Sequence, residues 1–193
     1  MTATPEQDPL VHTPPLARLI QGRGQLWRVP VVLGGAAVLA LASQVSLPIG
    51  PVPLTLQTLA LFTLAGLSGM RLALQIVLVW LLCGVVGLPV FAGGEGGPEV
   101  LMGETGGFLL GMLLAAPLTG RTAERTRDWP RLAGAFLLGH LLVLALGWAW
   151  LSTLAGVGRA FMEGVFPFIP GAIVKSFVAA LIVHAIRRRV STR

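Results

Sequence analysis

Lys175 is the residue of this sequence with the clearest capacity to bind a ligand. It is the only lysine among 14 basic residues, and it lies five residues after Pro170 in an apolar segment. Because a helix rises about 1.5 Å per residue, the residue would lie about 7–8 Å from the outer end of that helix. An ionisable group within a membrane helix indicates a functional site, although the ammonium could instead snorkel to the interface. A buried ammonium needs an anion, which could be a ligand carboxylate or one of the loop acids Glu95, Glu99 and Glu163.

A second candidate is the glycine-rich segment 87–108. It holds 8 glycines in 22 residues, together with Phe91 and three glutamates, in a chain with only 11% charged residues. Glycine lacks a Cβ, so its backbone can approach a ligand closely. Irregular backbone at membrane depth is tolerated where it is buried in protein or lines a cavity. The composition favours a ligand-binding loop, with a purely structural turn as the alternative.

A third candidate is the proline-rich segment 47–54, which has three prolines and one glycine in eight residues. Proline fixes φ and removes a backbone donor, so this connection should be stiff and extended. The polar residues Thr55, Gln57 and Thr58 follow it and would lie at the mouth of the next helix. A rigid turn with a helix cap is the simpler interpretation of the same residues.

The composition defines the elements that must position these candidates. The chain has 193 residues, of which 54% are hydrophobic, and a mean hydropathy of +0.81. Soluble domains carry roughly 25% charged residues, so we predict an all-α integral membrane protein with six transmembrane helices. Residues 1–28 would be a flexible basic cytoplasmic tail, 29–189 the six-helix membrane domain and 190–193 a cytoplasmic tail. The predicted helices are 29–47, 54–69, 71–88, 104–120, 132–154 and 168–186.

The basic residues predict the orientation of these helices. Twelve of the 14 fall in the termini and in alternate connections, whereas the opposite connections hold Arg159 alone. Since cytoplasmic loops collect Lys and Arg, both termini should be cytoplasmic. The net charge of +6 is then a topology signal and does not indicate nucleic-acid binding. We expect no metal and no cofactor. Cys83 is the single cysteine and lies in an apolar run, which excludes an internal disulfide and a cysteine-based metal cluster.

Several short motifs, each weak alone, are specific in their order and spacing. They are Ser43-Gln44, Pro53–Thr58, Gly87–Gly94, Gly103 with Thr105–Gly107, and Phe168–Gly171 with Lys175. With them the chain resembles the BioY family, the biotin-specific substrate-binding S components of energy-coupling factor (ECF) transporters. The similarity runs from about the first predicted helix to the end.

This resemblance implies a six-helix S-component fold with high-affinity biotin binding near the external face. It implies uptake across the bacterial cytoplasmic membrane, in which the chain captures substrate and is not an enzyme. A membrane T component and two ABC-type ATPases would be its partners, and the chain has no phosphate-binding loop of its own. The expected substrate-binding residues are Lys175, Gln57, Phe91, Gly93, Gly94, Glu95, Thr105, Gly106, Phe166, Phe168 and Ala172.

Within this set we expect Phe91, Phe166 and Phe168 to form walls. Gln57 and the backbone of 93–97 would donate and accept hydrogen bonds, and Lys175 would contact either the carboxylate or the ureido oxygen. The chain departs from the family pattern at Ala172, where an acid three residues before the lysine is usual. It also has Glu104 and Phe108 where proline and tyrosine are expected.

The first predicted helix offers Ala36 and Ala40, a small-xxx-small pair that lets helices approach closely. The pair is similar to the surface by which S components dock on their T component. Internal packing is the alternative interpretation.

Three other functions stay open at this stage. The chain could bind another vitamin, or it could transport without an ATPase partner. A rhomboid-like intramembrane protease is more remote: residues 66–69 match G-x-S-G, and a serine nucleophile needs a base such as His184. Ser68, however, falls in a turn just before Arg71, where such residues are ordinary. We expect His140 to be hydrogen-bonded between helices rather than to bind a metal.

Overall fold

The computed structural model describes residues 13–22, 25–47 and 50–191, so parts of both predicted tails and of the proline-rich segment lie outside the described residues. This part of the chain forms mainly helices, six of which have 12 residues or more. The helices are α1 (Pro15–Ile20), α2 (Arg28–Gln44), α3 (Gln57–Ser68), α4 (Met70–Val85), α5 (Glu99–Met102), α6 (Gly106–Arg125), α7 (Trp129–Ala155), α8 (Val157–Gly164) and α9 (Ile169–Ser191).

The six long helices α2, α3, α4, α6, α7 and α9 coincide with the six predicted segments, with ends that differ by up to five residues. The largest differences are at the ends of α6 and α9, which continue through Arg125 and Ser191. The prediction placed helix ends at charged residues, but arginine is a good helix former and extends a helix beyond its apolar part.

A short β-hairpin interrupts the helices between α2 and α3. Strands β1 (Ser46–Leu47) and β2 (Leu54–Thr55) pair antiparallel. The hairpin explains why α2 ends three residues early and α3 begins three residues late relative to the prediction. With 12 residues, α3 is only about 18 Å long.

Glycines set how closely the helices pack. A Cβ on Gly111 of α6 would lie 2.7 Å from the Cα of Val143 of α7, and one on Gly139 would lie 2.7 Å from the Phe62 ring. Phe62 in turn stacks on Phe136, with ring centroids 5.6 Å apart. The core therefore depends on backbone-to-backbone approach as well as on large side chains.

The outward surface of the helices is apolar. Leu41, Leu82, Leu118 and Leu138 are each more than half exposed, which is unusual for a soluble surface and suits contact with lipid. By length and composition, two stretches of the described residues can cross a membrane, Trp129–Ala155 and Val157–Val190.

The end of the bundle opposite the hairpin is closed by polar contacts to backbone. The Arg187 guanidinium donates to the carbonyls of Thr126 at 2.9 Å and Ala123 at 2.8 Å, and also to the carbonyl of Gly66. Glu124 accepts the N–H of Met70 at 2.9 Å at the start of α4. These bonds fasten the ends of α3, α6 and α9 together.

Candidate functional site

A cavity of about 420 Å³ lies inside the hairpin end of the bundle. Its exposed lining residues, Gly50, Gly93 and Glu95, all belong to connections, so the cavity reaches the surface at this end. Volumes of this order are typical of small-molecule sites. The remaining lining residues are Ser46, Pro51, Val52, Pro53, Thr55, Gln57, Thr58, Phe91, Ala92, Val100, Thr105, Phe108, Leu109, Met112, His140, Val143, Leu144, Phe168, Ala172 and Lys175.

Lys175 enters the cavity from the second turn of α9. Its Nζ donates to the Thr55 carbonyl at 2.6 Å and lies 3.5 Å from Thr58 Oγ1. Among the described residues no carboxylate pairs with it, and Glu163, one predicted partner, binds Arg159 at 3.0 Å instead. The cavity thus contains an ammonium with two neutral oxygen neighbours and capacity for a further acceptor.

Gln57 is 5% exposed and begins α3 beside the hairpin. Its Oε1 accepts from the Thr55 hydroxyl at 2.9 Å, and its backbone N–H donates to that hydroxyl at 3.3 Å. This pair satisfies the amide oxygen, so the Gln57 side-chain nitrogen is the group left to donate to a ligand. The residue therefore lies where the sequence predicted it, with its donor available.

The loop that follows α4 is fastened to α2 by the two polar residues of the Ser43-Gln44 motif. Ser43 Oγ donates to the Val90 carbonyl at 2.7 Å, and Gln44 Nε2 donates to the Phe91 carbonyl at 3.0 Å. Phe91 is 2% exposed and meets Trp80 edge to face at 5.3 Å. The motif therefore acts indirectly, by holding the aromatic wall of the cavity.

The structure brings most of the predicted substrate-binding residues together. Eight line the cavity: Lys175, Gln57, Phe91, Gly93, Glu95, Thr105, Phe168 and Ala172.

Three predicted site residues lie outside the lining. Phe166 is 62% exposed, because the 3₁₀ turn that precedes α9 directs it away while Phe168 reaches the cavity. Gly94 is exposed, and a Cβ there would meet Gln44 Oε1 at 3.9 Å. Gly106 serves packing, since a Cβ there would collide with the Leu101 carbonyl.

Sequence reasoning missed one wall of the cavity, formed by α6 and α7. Each of the two helices contributes three residues from one face. Their spacing is i, i+1 and i+4 on α6, and i, i+3 and i+4 on α7. That spacing indicates a buried face but not that the face lines a cavity rather than solid core. The residues are Phe108, Leu109, Met112, His140, Val143 and Leu144.

The docking role predicted for Ala36 and Ala40 of α2 stays a prediction. Ala36 is 7% exposed and Ala40 is only partly exposed, because the helix turns residues 32, 35, 36, 39 and 43 toward the core. Gly35 beside them packs on Ile76. The burial of Ala36 and the contact of Gly35 are the observations that support internal packing, the alternative interpretation of this face.

The contacts of Ser68 and His184 give no support to a protease. Ser68 is 2% exposed, and its hydroxyl donates to the Leu64 carbonyl of its own helix. His184 Nδ1 instead lies 3.3 Å from the Arg127 carbonyl.

The comparisons with known proteins agree with this architecture. The fold matches the crystal structure of "the S-component for biotin from an ECF-type ABC transporter" with a TM-score of 0.78 and 26% identity, over 85% of this chain and 92% of that one. The class of protein is therefore a membrane protein with the ECF S-component fold.

The sequence comparisons define the family within that class. The BioY family model matches residues 20–192. The chain is 36% identical over 172 residues to the biotin transporter BioY2 of Lactococcus lactis, covering 86% of this chain and 93% of that protein. It is 41% identical over 171 residues to the biotin transporter BioY of Rhodobacter capsulatus, covering 80% and 89%. This chain belongs to the BioY family.

Proposed function

We propose that this chain binds biotin with high affinity and takes it up across the cytoplasmic membrane as the S component of an ECF-type transporter. The observation that carries the proposal is the cavity, which joins apolar walls to a small set of polar groups that includes Lys175 and Gln57. Biotin likewise combines apolar and polar parts: an apolar bicyclic body, a ureido group and a carboxylate on an alkyl chain. The relatives named biotin transporters and the solved S component for biotin support the same ligand.

The distribution of polar groups favours one direction of binding. Lys175 lies with Thr58 at the inner side of the hairpin, whereas the exposed lining residues lie at the opening. A carboxylate loses least hydration near the opening. The ureido group therefore enters first, and its oxygen accepts a hydrogen bond from the Lys175 ammonium.

The orientation in the membrane follows from charge. Arg28, Arg71, Arg121 and Arg125 all line one pocket at the end of the bundle away from the hairpin. Cytoplasmic loops are rich in arginine, so six helices span the membrane with both termini inside and the cavity opens outward. A T component and two ABC-type ATPases, encoded separately, supply the energy for inward release.

The direct test is calorimetric titration of the purified full-length protein in detergent with biotin, and with thiamine and riboflavin as comparison ligands. Saturable binding of biotin alone is expected. A folded protein that binds another vitamin and not biotin would refute the ligand assignment and leave the fold unchanged.

A second test separates coupled from solitary transport. Biotin uptake is measured in cells that lack their own biotin transporter, with this chain expressed alone or with a T component and ATPases. Uptake that requires the ATPases is expected, and equal uptake without them would refute coupling.

A further inference from the structure

His140 is a buried polar residue of the cavity that neither the sequence motifs nor the proposed binding mode uses. It lies in the middle of α7, is 3% exposed and belongs to the cavity lining. Its Nδ1 lies 2.9 Å from Ser176 Oγ on α9 and 3.1 Å from the Phe136 carbonyl. These contacts confirm the predicted hydrogen bond between helices, but they engage one ring nitrogen only.

The partners of Nδ1 determine which nitrogen carries the proton. The Phe136 carbonyl can only accept. The Ser176 hydroxyl donates to the Ala172 carbonyl at 2.7 Å, so its oxygen is left to accept. Both neighbours therefore require an N–H at Nδ1, and in a neutral imidazole this makes Nε2 an acceptor. Nε2 is buried and has no hydrogen-bond partner among the described residues.

The His140 ring and the Lys175 ammonium contact the same helix, α3. The His140 ring centroid is 4.5 Å from that of Phe62. Phe62 is one turn of α3 after Thr58, whose hydroxyl lies 3.5 Å from Lys175 Nζ. The imidazole of α7 and the ammonium of α9 therefore meet α3 at residues one turn apart.

Other acceptors are scarce in this part of the cavity. On the α9 side, Phe168 and Ala172 are apolar and Lys175 is a donor. The Gln57 amide oxygen is engaged by Thr55, and the Glu95 carboxylate is on the exposed loop. Within the cavity lining, His140 Nε2 is a buried side-chain acceptor without a hydrogen-bond partner among the described residues.

We infer that His140 is a specificity-determining residue whose Nε2 accepts a hydrogen bond from a ring N–H of the ligand. The inference rests on the proposed function: for biotin, the donor is one ureido N–H, while Lys175 donates to the ureido oxygen. The two side chains together match the donor and acceptor pattern of a cyclic urea. A buried acceptor left unpaired disfavours ligands that lack the donor.

The test is a thermodynamic cycle that combines a variant of the His140 side chain with analogues of the ligand. Calorimetry compares the wild type and His140→Phe. The ligands are biotin and the two analogues in which one or the other ureido N–H is replaced by a ring oxygen, which gives a cyclic carbamate. One analogue should bind the wild type about tenfold more weakly than biotin, as one lost hydrogen bond predicts. His140→Phe should bind biotin about tenfold more weakly and should not distinguish that analogue from biotin.

An independent measurement needs no variant of the site to fold. The chain has three histidines, so ¹⁵N-histidine labelling gives few signals. His12→Gln and His184→Gln assign two of them, which leaves the signal of His140. We expect the ligand-free protein to show a protonated Nδ1 and a bare Nε2, and the Nε2 signal to shift on addition of biotin.

The outcomes separate the two proposals. A wild type that binds no biotin refutes the proposed function. If the wild type binds biotin, two results refute the role of His140 while the function stands. They are unchanged affinity in His140→Phe and an Nε2 signal that does not shift when biotin is added.

Discussion

Replacing Lys175 with methionine tests the central contact of the proposed site. The substitution keeps a long flexible side chain but removes the ammonium that donates to Thr55 at 2.6 Å and faces the cavity. Hydrogen bonds to charged groups contribute about 1.5–3 kcal/mol. Taking about 2 kcal/mol, we expect Lys175→Met to bind biotin about 30-fold more weakly, since 1.4 kcal/mol corresponds to a factor of ten.

The assay is calorimetric titration with biotin and with biotin methyl ester, which lacks the negative charge. Because the ammonium contacts the ureido oxygen in our binding mode, both ligands should lose affinity by the same factor. Arg159→Met is the matched control, since Arg159 is also on the hairpin side, is paired with Glu163 and lies outside the cavity lining. We expect its affinity to stay within about twofold, because an exposed pair contributes little.

Two results would refute the reasoning in different ways. A loss seen with biotin but not with its ester would place the ammonium against the carboxylate and reverse the binding direction. Unchanged affinity for both ligands in a folded Lys175→Met protein would mean that the ammonium snorkels toward the surface and contacts no ligand.

Three further predictions follow from the same structure. Glu95→Gln should bind biotin about two- to fivefold more tightly at low salt, because an exposed like charge beside the ligand carboxylate is removed; calorimetry at two salt concentrations checks this, and the methyl ester should show no gain. Gly111→Ala forces a Cβ to 2.7 Å from Val143 and should lower stability by about 1–3 kcal/mol, whereas Gly134→Ala has open space and should be neutral or stabilising, as thermal unfolding will show. Arg187→Met removes three bonds to backbone carbonyls and should lower the unfolding temperature without changing biotin affinity in protein that remains folded.

The helices could be predicted from the sequence because the length of an apolar segment and the charged residues that flank it are local signals. The hairpin could not, since Leu54 and Thr55 continue an apolar run and they pair with Leu47 and Ser46, which are seven and nine residues away. Among site residues, the motifs indicated Lys175, Gln57 and Phe91, which approach the cavity from helix starts and loops. His140 was not predicted as a cavity residue, because a histidine in an apolar helix is as compatible with core packing as with a binding site.

The docking pair shows the opposite limit. A small-xxx-small pattern states that something approaches the helix closely, but not whether the neighbour belongs to the same chain. On α2, Gly35 contacts Ile76 within the chain, and the docking role of Ala36 and Ala40 stays a prediction.

The two ends of α3 explain why the bundle binds its ligand at one end. At the Ser68 end, the Ser68 hydroxyl bonds its own helix and Arg187 donates to the carbonyl of Gly66, so these polar groups are satisfied within the protein. At the Gln57 end, the β-hairpin precedes the helix and brings Thr55 and Gln57 to the cavity wall. The hairpin therefore places these polar groups beside the space that we propose for the ligand.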